Sequence, residues 1–161
     1  NVRIVGSTLW SYILDARQEA VYRRVNDYKY IYWKEEKGDE VKRRTLTIED
    51  TMEMHETAVR YLYNVIKLAP DKKIIVLTHH APLKEGTSAP QYRGQPSNCA
   101  FSTDLSAMMK PPQLKIWAFG HTHWSYDVTR HGTRVLSNPK GYGKNECPGF
   151  KNNFVVEIDE R

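Results

Sequence analysis

The chain has 161 residues, about the length of one domain by the usual range of roughly 100 to 200 residues. Its hydrophobic share of 40% and charged share of 27% are typical of globular proteins and exclude disordered and fibrous classes. Lys and Arg exceed Asp and Glu by 24 to 19, but apart from the KRR of residues 42–44 they are scattered, which argues against a dedicated nucleic-acid surface. We expect a single domain over residues 1–161 with a mild preference for anionic ligands.

The cysteine content and the length of the apolar runs indicate in which cellular compartment the protein is expected. Cys99 and Cys147 lie in polar stretches without CxxC spacing, so a disulfide is possible but not indicated. No apolar run approaches the roughly 18 residues of a membrane span, and no leader pattern precedes the first strand. We expect a cytoplasmic protein. Because Asn1 enters the strand-like NVRIVGSTLW at once, we also expect a processed or truncated piece of a longer chain.

The first half predicts two strands and one long helix. After NVRIVGSTLW, YKYIYW at residues 28–33 predicts a second strand or an aromatic loop, and EEKGDE at residues 35–40 predicts a turn. Thr47 followed by Asp50 is typical of a capped helix start. One apolar face then recurs at spacings of three and four, in Ile48, Met52, His55, Val59, Leu62 and Ile66. Pro70 and Asp71 predict the helix end.

The second half predicts further strands separated by a long loop. The apolar run Lys73–Thr78 predicts a strand buried on both faces, and residues 81–99 form a loop of the length that is usually functional or mobile. Ser102 is expected to cap a short helix through about Met109, and residues 114–119 predict the next buried strand. DVTRHGTRVL predicts two strands around a turn at His131 and Gly132, and FVVEI at residues 154–158 predicts a last strand. This order predicts an α/β sheet whose functional edge lies at the strand ends.

Two of the predicted buried strands end on histidines. IIVLTHHAP ends on His79 and His80, and AFGHTHW ends on His121 and His123. Neutral imidazole is the commonest protein ligand for borderline divalent metals. A single histidine at a strand end is more often hydrogen-bonded or exposed than a ligand. Four at two strand ends predict a metal or phosphate site.

The spacing of these histidines predicts the directions in which their side chains point. Alternation along a strand places His121 and His123 on one side, and Gly120 permits a tight bend beneath them. Adjacent strand residues point oppositely, so we expect only one of His79 and His80 to face His121.

The other two histidines receive different interpretations. His55 lies on the apolar stripe of the helix and is expected to be a satisfied packing residue. His131, in a turn, is expected to be solvated.

These segments resemble the calcineurin-like metallophosphoesterase family. VLTHHAP and FGHTHW are similar to two of its motifs. Four further segments resemble a subgroup of predicted phosphohydrolases, namely GSTLW, NDYKYI, FSTDL and SNPKGY. The resemblance covers nearly the whole chain. It implies the C-terminal part of a four-layer α/β/β/α sandwich.

The resemblance also implies cofactors and site residues. The family binds two divalent metal ions (Mn, Fe or Zn) bridged by an aspartate and a hydroxide. His79 and His121 match ligands of the second metal, and His123 matches a ligand of the first. His80, beside a matched ligand, could face the substrate phosphate or be structural.

Three motifs of the family are missing. No DxH, GDxxD or GNHE occurs in the chain, and GDEVK at residues 38–42 lacks the second acid. The matched half supplies three neutral ligands and no charge to balance two divalent cations, so no catalytic residue is identified in this chain.

For the intact protein, the resemblance implies hydrolysis of phosphomonoesters or phosphodiesters by a metal-bound hydroxide. Residues 83–99 are expected to shape the substrate pocket, with Arg93 pairing with a phosphate or remaining an ordinary surface arginine. A metal-free scaffold or partner-binding module of the same fold, and an inactive fragment of a real enzyme, stay open. The apolar faces of a half sandwich predict dimerisation or a partner carrying the missing half. We expect neither membrane nor nucleic-acid binding.

Overall fold

A computed structural model of the chain describes residues 1–37, 40–143 and 146–158. The strands are β1 (Val2–Ser7), β2 (Tyr32–Lys37), β3 (Glu40–Thr45), β4 (Lys73–Thr78), β5 (Leu114–Ala118), β6 (Tyr126–Arg130) and β7 (Thr133–Ser137). The α-helices are α1 (Gln18–Arg24), α2 (Asp27–Tyr30) and α3 (Ile48–Lys67). Short 3₁₀ helices span Asp15–Arg17, Pro90–Tyr92, Pro96–Phe101 and Ser106–Met109.

The main sheet has five strands in the order β1-β4-β5-β7-β6. β1, β4, β5 and β7 run parallel, and β6 joins β7 as an antiparallel hairpin. β2 and β3 form a separate antiparallel ribbon. The predicted α/β class is therefore confirmed.

One face of the sheet carries the main core. Side chains of β4 and β5 that alternate inward, such as Ile74, Val76 and Trp117, are fully buried against Leu62 and Ile66 of α3. Burying such apolar side chains contributes roughly 1.5–3 kcal/mol each relative to exposure. The helix and the parallel strands therefore hold one another in place.

The opposite face is open near β1 and β4. Ile4 pairs with Ile75, and Gly6 with Leu77, so these side chains share that face. Ile4 is 63% exposed and Leu77 46% exposed. The expectation that Lys73–Thr78 is buried on both faces is wrong, because α3 covers only one side.

The predicted start of α3 is confirmed in detail. Thr47 Oγ1 accepts the Asp50 amide N–H at 3.2 Å, and the Asp50 carboxylate accepts the Thr47 N–H at 2.8 Å. Arg44 adds two charge-assisted bonds to the same carboxylate, at 2.5 and 2.8 Å. Of the predicted apolar stripe, Met52 and Val59 are only partly buried, whereas the buried members are Ile48, His55, Leu62 and Ile66.

The segment at residues 28–33, predicted as a second strand or an aromatic loop, is divided between two elements. Its first three residues belong to α2, where Tyr28 is buried, and Tyr32 and Trp33 begin the second strand, β2. Tyr28 packs in a second core cluster with Ile13, Val21 and Ile48, so burial of its ring holds this turn of helix in place. Gly38 and Asp39, the centre of the predicted EEKGDE turn, lie outside the described residues.

Two predicted elements near the C-terminal half are wrong. Ser102 caps no helix; it forms an isolated bridge with Ala81, and the only helical turn there is the 3₁₀ segment Ser106–Met109. Asp104 accepts the Ser106 N–H at 3.0 Å, and the turn begins at Ser106, four residues after the expected cap. Residues 154–158 form no strand, since the described chain offers them no ladder partner.

The turn at His131 and Gly132 is confirmed. Both residues have positive φ, 52° and 87°, as a two-residue hairpin between β6 and β7 requires.

Within the described residues, no helix is long and apolar enough to cross a membrane. Cys99 and Cys147 are both free thiols.

Replacing Asp50 with Asn should destabilise the fold by about 1–2 kcal/mol at pH 7, because the neutral amide keeps one acceptor oxygen but loses the negative charge and one of the two bonds to Arg44. The pKa of Asp50 is lowered chiefly by its hydrogen bonds to Arg44, so the carboxylate stabilises the fold above the ordinary Asp pKa of about 3.9. The difference between wild type and Asp50→Asn should therefore shrink as pH falls below about 4. Urea unfolding at pH 7 and pH 3 measures this, with Glu53→Gln in the same helix as control. An Asp50→Asn penalty that is equal at both pH values would contradict the ion-pair account.

Candidate functional site at the carboxyl edge of the sheet

The candidate site lies where the four parallel strands end. Because β1, β4, β5 and β7 are parallel, the loops that follow Ser7, Thr78, Ala118 and Ser137 meet at one edge of the sheet. Ligands of open α/β sheets bind at this edge. All four histidines singled out in the sequence lie in two of these loops.

Three imidazole rings form a compact cluster. The ring centroids of His80 and His121 are 4.1 Å apart and nearly stacked, and those of His79 and His121 are 4.6 Å apart. The expectation that only one of His79 and His80 faces His121 is therefore wrong. The reason is local: the chain leaves strand geometry after Thr78 and bends, so strand alternation no longer applies.

Left-handed backbone conformations shape the two loops around the cluster. His121 and His123 have φ values of 60° and 49°, and in the loop after β1 Leu9 and Trp10 have 71° and 52°. Such values cost energy for non-glycine residues and tend to cluster at functional sites. Gly120 is not the residue that makes the bend, since its φ is ordinary and an added Cβ would lie an acceptable 3.6 Å from His79 Nδ1.

His80 is the buried member of the cluster. It is 2% exposed, its amide N–H donates to the Thr8 carbonyl at 3.1 Å, and its Nδ1 lies 3.0 Å from Ser11 Oγ. The Trp10 ring lies 5.1 Å from its ring centroid. These contacts favour the structural alternative for His80 over contact with substrate.

One ring nitrogen of the cluster is buried without a partner. His121 Nε2 makes no hydrogen bond in the described residues, whereas the backbone of Ala100 acts as a hydrogen-bonding partner of the His80 ring. The Phe101 ring stacks on His121 with centroids 4.6 Å apart and shields one side of it. A buried polar atom left without a partner costs about 1–3 kcal/mol, so an unpaired imidazole nitrogen suits a ligand that accepts its lone pair.

The histidines of the site are chemically suited to bind a metal ion, but their side chains do not form a closed set of ligands. Neutral imidazoles with free Nε2 atoms are the ligands that Zn, Fe and Mn sites use. Within the described ranges, however, no group of three or more His, Cys, Asp or Glu side chains is already arranged to hold a metal ion. The prediction of metal ligation by His79, His121 and His123 thus stays a prediction.

Burial keeps the clustered imidazoles uncharged. Desolvation lowers the pKa of His121 to about 3, with a further contribution from His79. It also lowers the pKa of His79 and, well below the ordinary range, that of His80. The three rings are therefore neutral near pH 7, which is the form that binds a metal.

His123 stands apart from the stacked rings but is held firmly. Its Nδ1 lies 2.6 Å from Glu146 Oε1, and the Tyr142 ring packs edge-on at 4.8 Å. It remains near enough to His79 and His121 to lower the pKa of each. Sequence reasoning missed Glu146, because no spacing links it to His123; the one available signal was an acid in the glycine-rich loop after the last paired strand.

The long loop after β4 lines two cavities beside the histidines. Arg93 and Lys84 line one of about 450 Å³, together with Trp124, which directly follows His123. Tyr92 lines a second of about 280 Å³. The predicted pocket loop is therefore next to the candidate site, and Arg93 is an exposed cation at its wall.

The two remaining histidines are placed as expected. His55 is 5% exposed, and its Nδ1–H donates to the Leu9 carbonyl at 2.9 Å, so it is a satisfied packing residue. His131 is exposed in its turn.

Comparison with known proteins adds one relative and no family. No family model matches the chain. The chain is 32% identical over 166 aligned positions to an uncharacterized protein of Acanthamoeba polyphaga mimivirus, an alignment that covers 99% of this chain and 57% of that protein. The chain thus spans little more than half the length of the curated relative it matches.

The buried neutral histidines should make the fold acid-sensitive in metal-free buffer. Unfolding restores their ordinary pKa of about 6.5, so the unfolded chain binds more protons and the free energy of unfolding falls as pH drops below 6.5. His121 alone should contribute about 1–2 kcal/mol of loss by pH 5. Urea unfolding in EDTA from pH 8 to pH 5 measures the slope. It should be smaller in His121→Gln and unchanged in His131→Gln; equal slopes in all three chains would contradict the assignment.

Proposed function

We propose that the whole protein to which this chain belongs is a metal-dependent phosphoester hydrolase. The observation that carries the proposal is the cluster of neutral imidazoles at the carboxyl edge of a parallel sheet, with a buried and unpaired Nε2 atom on His121. VLTHHAP and FGHTHW support the same conclusion through their resemblance to metallophosphoesterase motifs.

The proposed ligands follow that resemblance. His79 and His121 hold one divalent ion and His123 holds the other, with Mn, Fe or Zn as candidates. Bound ions of this kind supply Lewis acidity, which activates water and neutralises charge on a phosphoryl group. Small changes in the side-chain angles of the ligands are required, because the described residues do not present a closed set.

The chain's own residues have three tasks in this proposal. The clustered rings remain neutral and present nitrogen lone pairs. Phe101 shields His121 and limits the access of water on that side. Arg93 and Lys84 at the cavity beside Trp124 attract and orient an anionic ester, and the guanidinium of Arg93 suits bidentate contact with phosphate.

The ligand set lacks charge. Three neutral imidazoles do not balance two divalent cations, so we propose that carboxylates from the rest of the whole protein complete the site. We propose further that the five-stranded sheet is one part of a four-layer α/β/β/α sandwich. Its open face at Val2, Ile4 and Leu77 is where a second sheet would pack.

Metal binding tests the proposal directly. This chain should bind Zn²⁺ or Mn²⁺ weakly, and the whole protein should bind about two ions and hydrolyse bis-p-nitrophenyl phosphate. Removing an imidazole ligand removes one coordinate bond, so His121→Ala should lower activity of the whole protein by about 100-fold or more. Elemental analysis and colorimetric assay measure both quantities, with His131→Ala as the matched control.

Two results would oppose the proposal in different ways. Whole protein that is folded, metal-free and inactive after incubation with each metal would refute the hydrolase. Turnover by the 161-residue chain alone would refute the shared-site part, since carboxylates of this chain would then complete the site.

A partner-binding module is the second candidate function, and the open sheet face favours it. Val2 and Ile4 on β1 are 47% and 63% exposed, and among the described residues β1 pairs only with β4. An apolar face beside an unpaired strand edge promotes association.

The open face should drive self-association of the isolated chain. Light scattering after size-exclusion chromatography should show dimers at micromolar concentration, and Ile4→Lys should shift the population to monomer because a charge cannot be buried there unpaired. Tyr30→Lys, at an exposed aromatic position outside the five-stranded sheet, is the control. A wild-type chain that is monomeric at high concentration would contradict association through this face.

A further inference from the structure

Among the described residues, the Glu146 carboxylate makes the shortest side-chain hydrogen bond to a candidate metal ligand, His123. Its Oε1 accepts the Nδ1–H of His123 at 2.6 Å. The two residues are 23 positions apart, and Glu146 lies in the loop after β7 whereas His123 follows β5. The bond therefore ties together loops from two neighbouring parallel strands.

The loop is built around this carboxylate. Its second oxygen, Oε2, accepts the backbone N–H groups of Tyr142 at 2.5 Å and Gly143 at 2.9 Å. Gly141 has a φ of 72°, and a Cβ there would lie only 2.8 Å from Oε2 and 2.9 Å from the Sγ of Cys147. A larger residue at position 141 would require the Glu146 carboxylate to shift, and the positive φ disfavours any residue other than glycine there. Cys147, 5% exposed, anchors the end of the loop in the protein.

These contacts determine which proton His123 carries. A carboxylate accepts hydrogen bonds and donates none, so the proton between Glu146 and His123 belongs to Nδ1. Nε2 of a neutral His123 then has a free lone pair. Metal-ligating histidines are oriented by such carboxylate partners, which fix the tautomer and raise the basicity of the ring.

The same contacts bring hydrogen-bond donors to both oxygens of the Glu146 carboxylate. The carboxylate supplies one negative charge next to a set of otherwise neutral ligands. This offsets part of the missing charge without occupying a coordination position.

We propose that Glu146 is the positioning residue of the site: it holds His123 in the Nδ1–H tautomer and directs Nε2 toward a divalent metal ion. The first part of this proposal, the tautomer of His123 (the tautomer half), stands on the geometry of this chain. The second part, the contact of Nε2 with a metal ion (the metal half), rests on the proposed function. Tyr142 assists by packing its ring edge-on to His123 at 4.8 Å.

Long-range ¹H–¹⁵N NMR of the metal-free chain at pH 8 tests the tautomer half. The wild type should show His123 with a proton on Nδ1 and a bare Nε2. In Glu146→Gln the amide can donate as well as accept, so the Nε2–H form should appear; Glu146→Ala should show the same change. Glu157→Gln, an exposed acid in the same C-terminal segment, should leave His123 unchanged. An Nε2–H tautomer or a doubly protonated ring in the wild type would overturn the proposal, as would a Glu146→Gln spectrum identical to that of wild type.

Zn²⁺ titration of the same chains, monitored by competition with a chromophoric chelator, tests the metal half. Glu146→Gln should weaken binding by about 10- to 100-fold, and Glu157→Gln should leave it unchanged. Glu146→Asp, which keeps the charge but shortens the reach, should fall between. Equal affinities in wild type and Glu146→Gln would overturn the metal half. If the wild-type chain itself binds no Zn²⁺, the metal half is overturned for this chain, whereas the NMR result still decides the tautomer and the metal content of the whole protein decides the hydrolase proposal.

Discussion

The parallel pairing of β1, β4, β5 and β7 is the constraint on which the candidate site depends. It brings four carboxyl ends to one edge of the sheet, so residues far apart in the chain meet there, such as Ser11 and His80. The packing of α3 against Ile74, Val76 and Trp117 fixes the strands from one side. The histidine loops can then adopt strained backbone conformations, because their ends are held by a rigid core.

Those loops hold an arrangement that has a free-energy cost of its own. Three imidazoles are crowded within 5.6 Å of one another, the Nε2 of His121 is buried without a partner, and several residues nearby have left-handed φ. Such an unpaired nitrogen costs about 1–3 kcal/mol. A bound ion that accepts its lone pair would recover part of this cost, so binding and stability are expected to rise together. His123, with its partner Glu146, is the one ring of the site whose second nitrogen is fixed by a charged neighbour.

Much of the fold follows from local patterns in the sequence. The capping residues Thr47 and Asp50 and the stripe behind them define α3, and the apolar run Lys73–Thr78 defines β4. Errors arise where tertiary contacts decide: Leu77 is exposed because the sheet is covered on one face only, and residues 154–158 read as a strand but find no partner. Tyr28 becomes helical because its ring is buried beside Ile48.

For the site, the sequence identified the histidines but not their geometry. Strand alternation predicts that only one of His79 and His80 faces His121, but the chain bends there and both rings lie against His121. Ser11 and Glu146, the hydrogen-bonding partners of His80 and His123, lie in other loops and have no spacing relation to them. Such partners become visible only when the sheet topology is known.

X-ray absorption spectroscopy of the Zn²⁺-loaded chain tests the central claim, that these imidazoles bind a metal. The account predicts a first shell at about 2.0–2.1 Å with the multiple-scattering pattern of at least two imidazoles, reduced in His121→Ala. A shell of oxygen atoms without imidazole scattering, unchanged by that substitution, would contradict it.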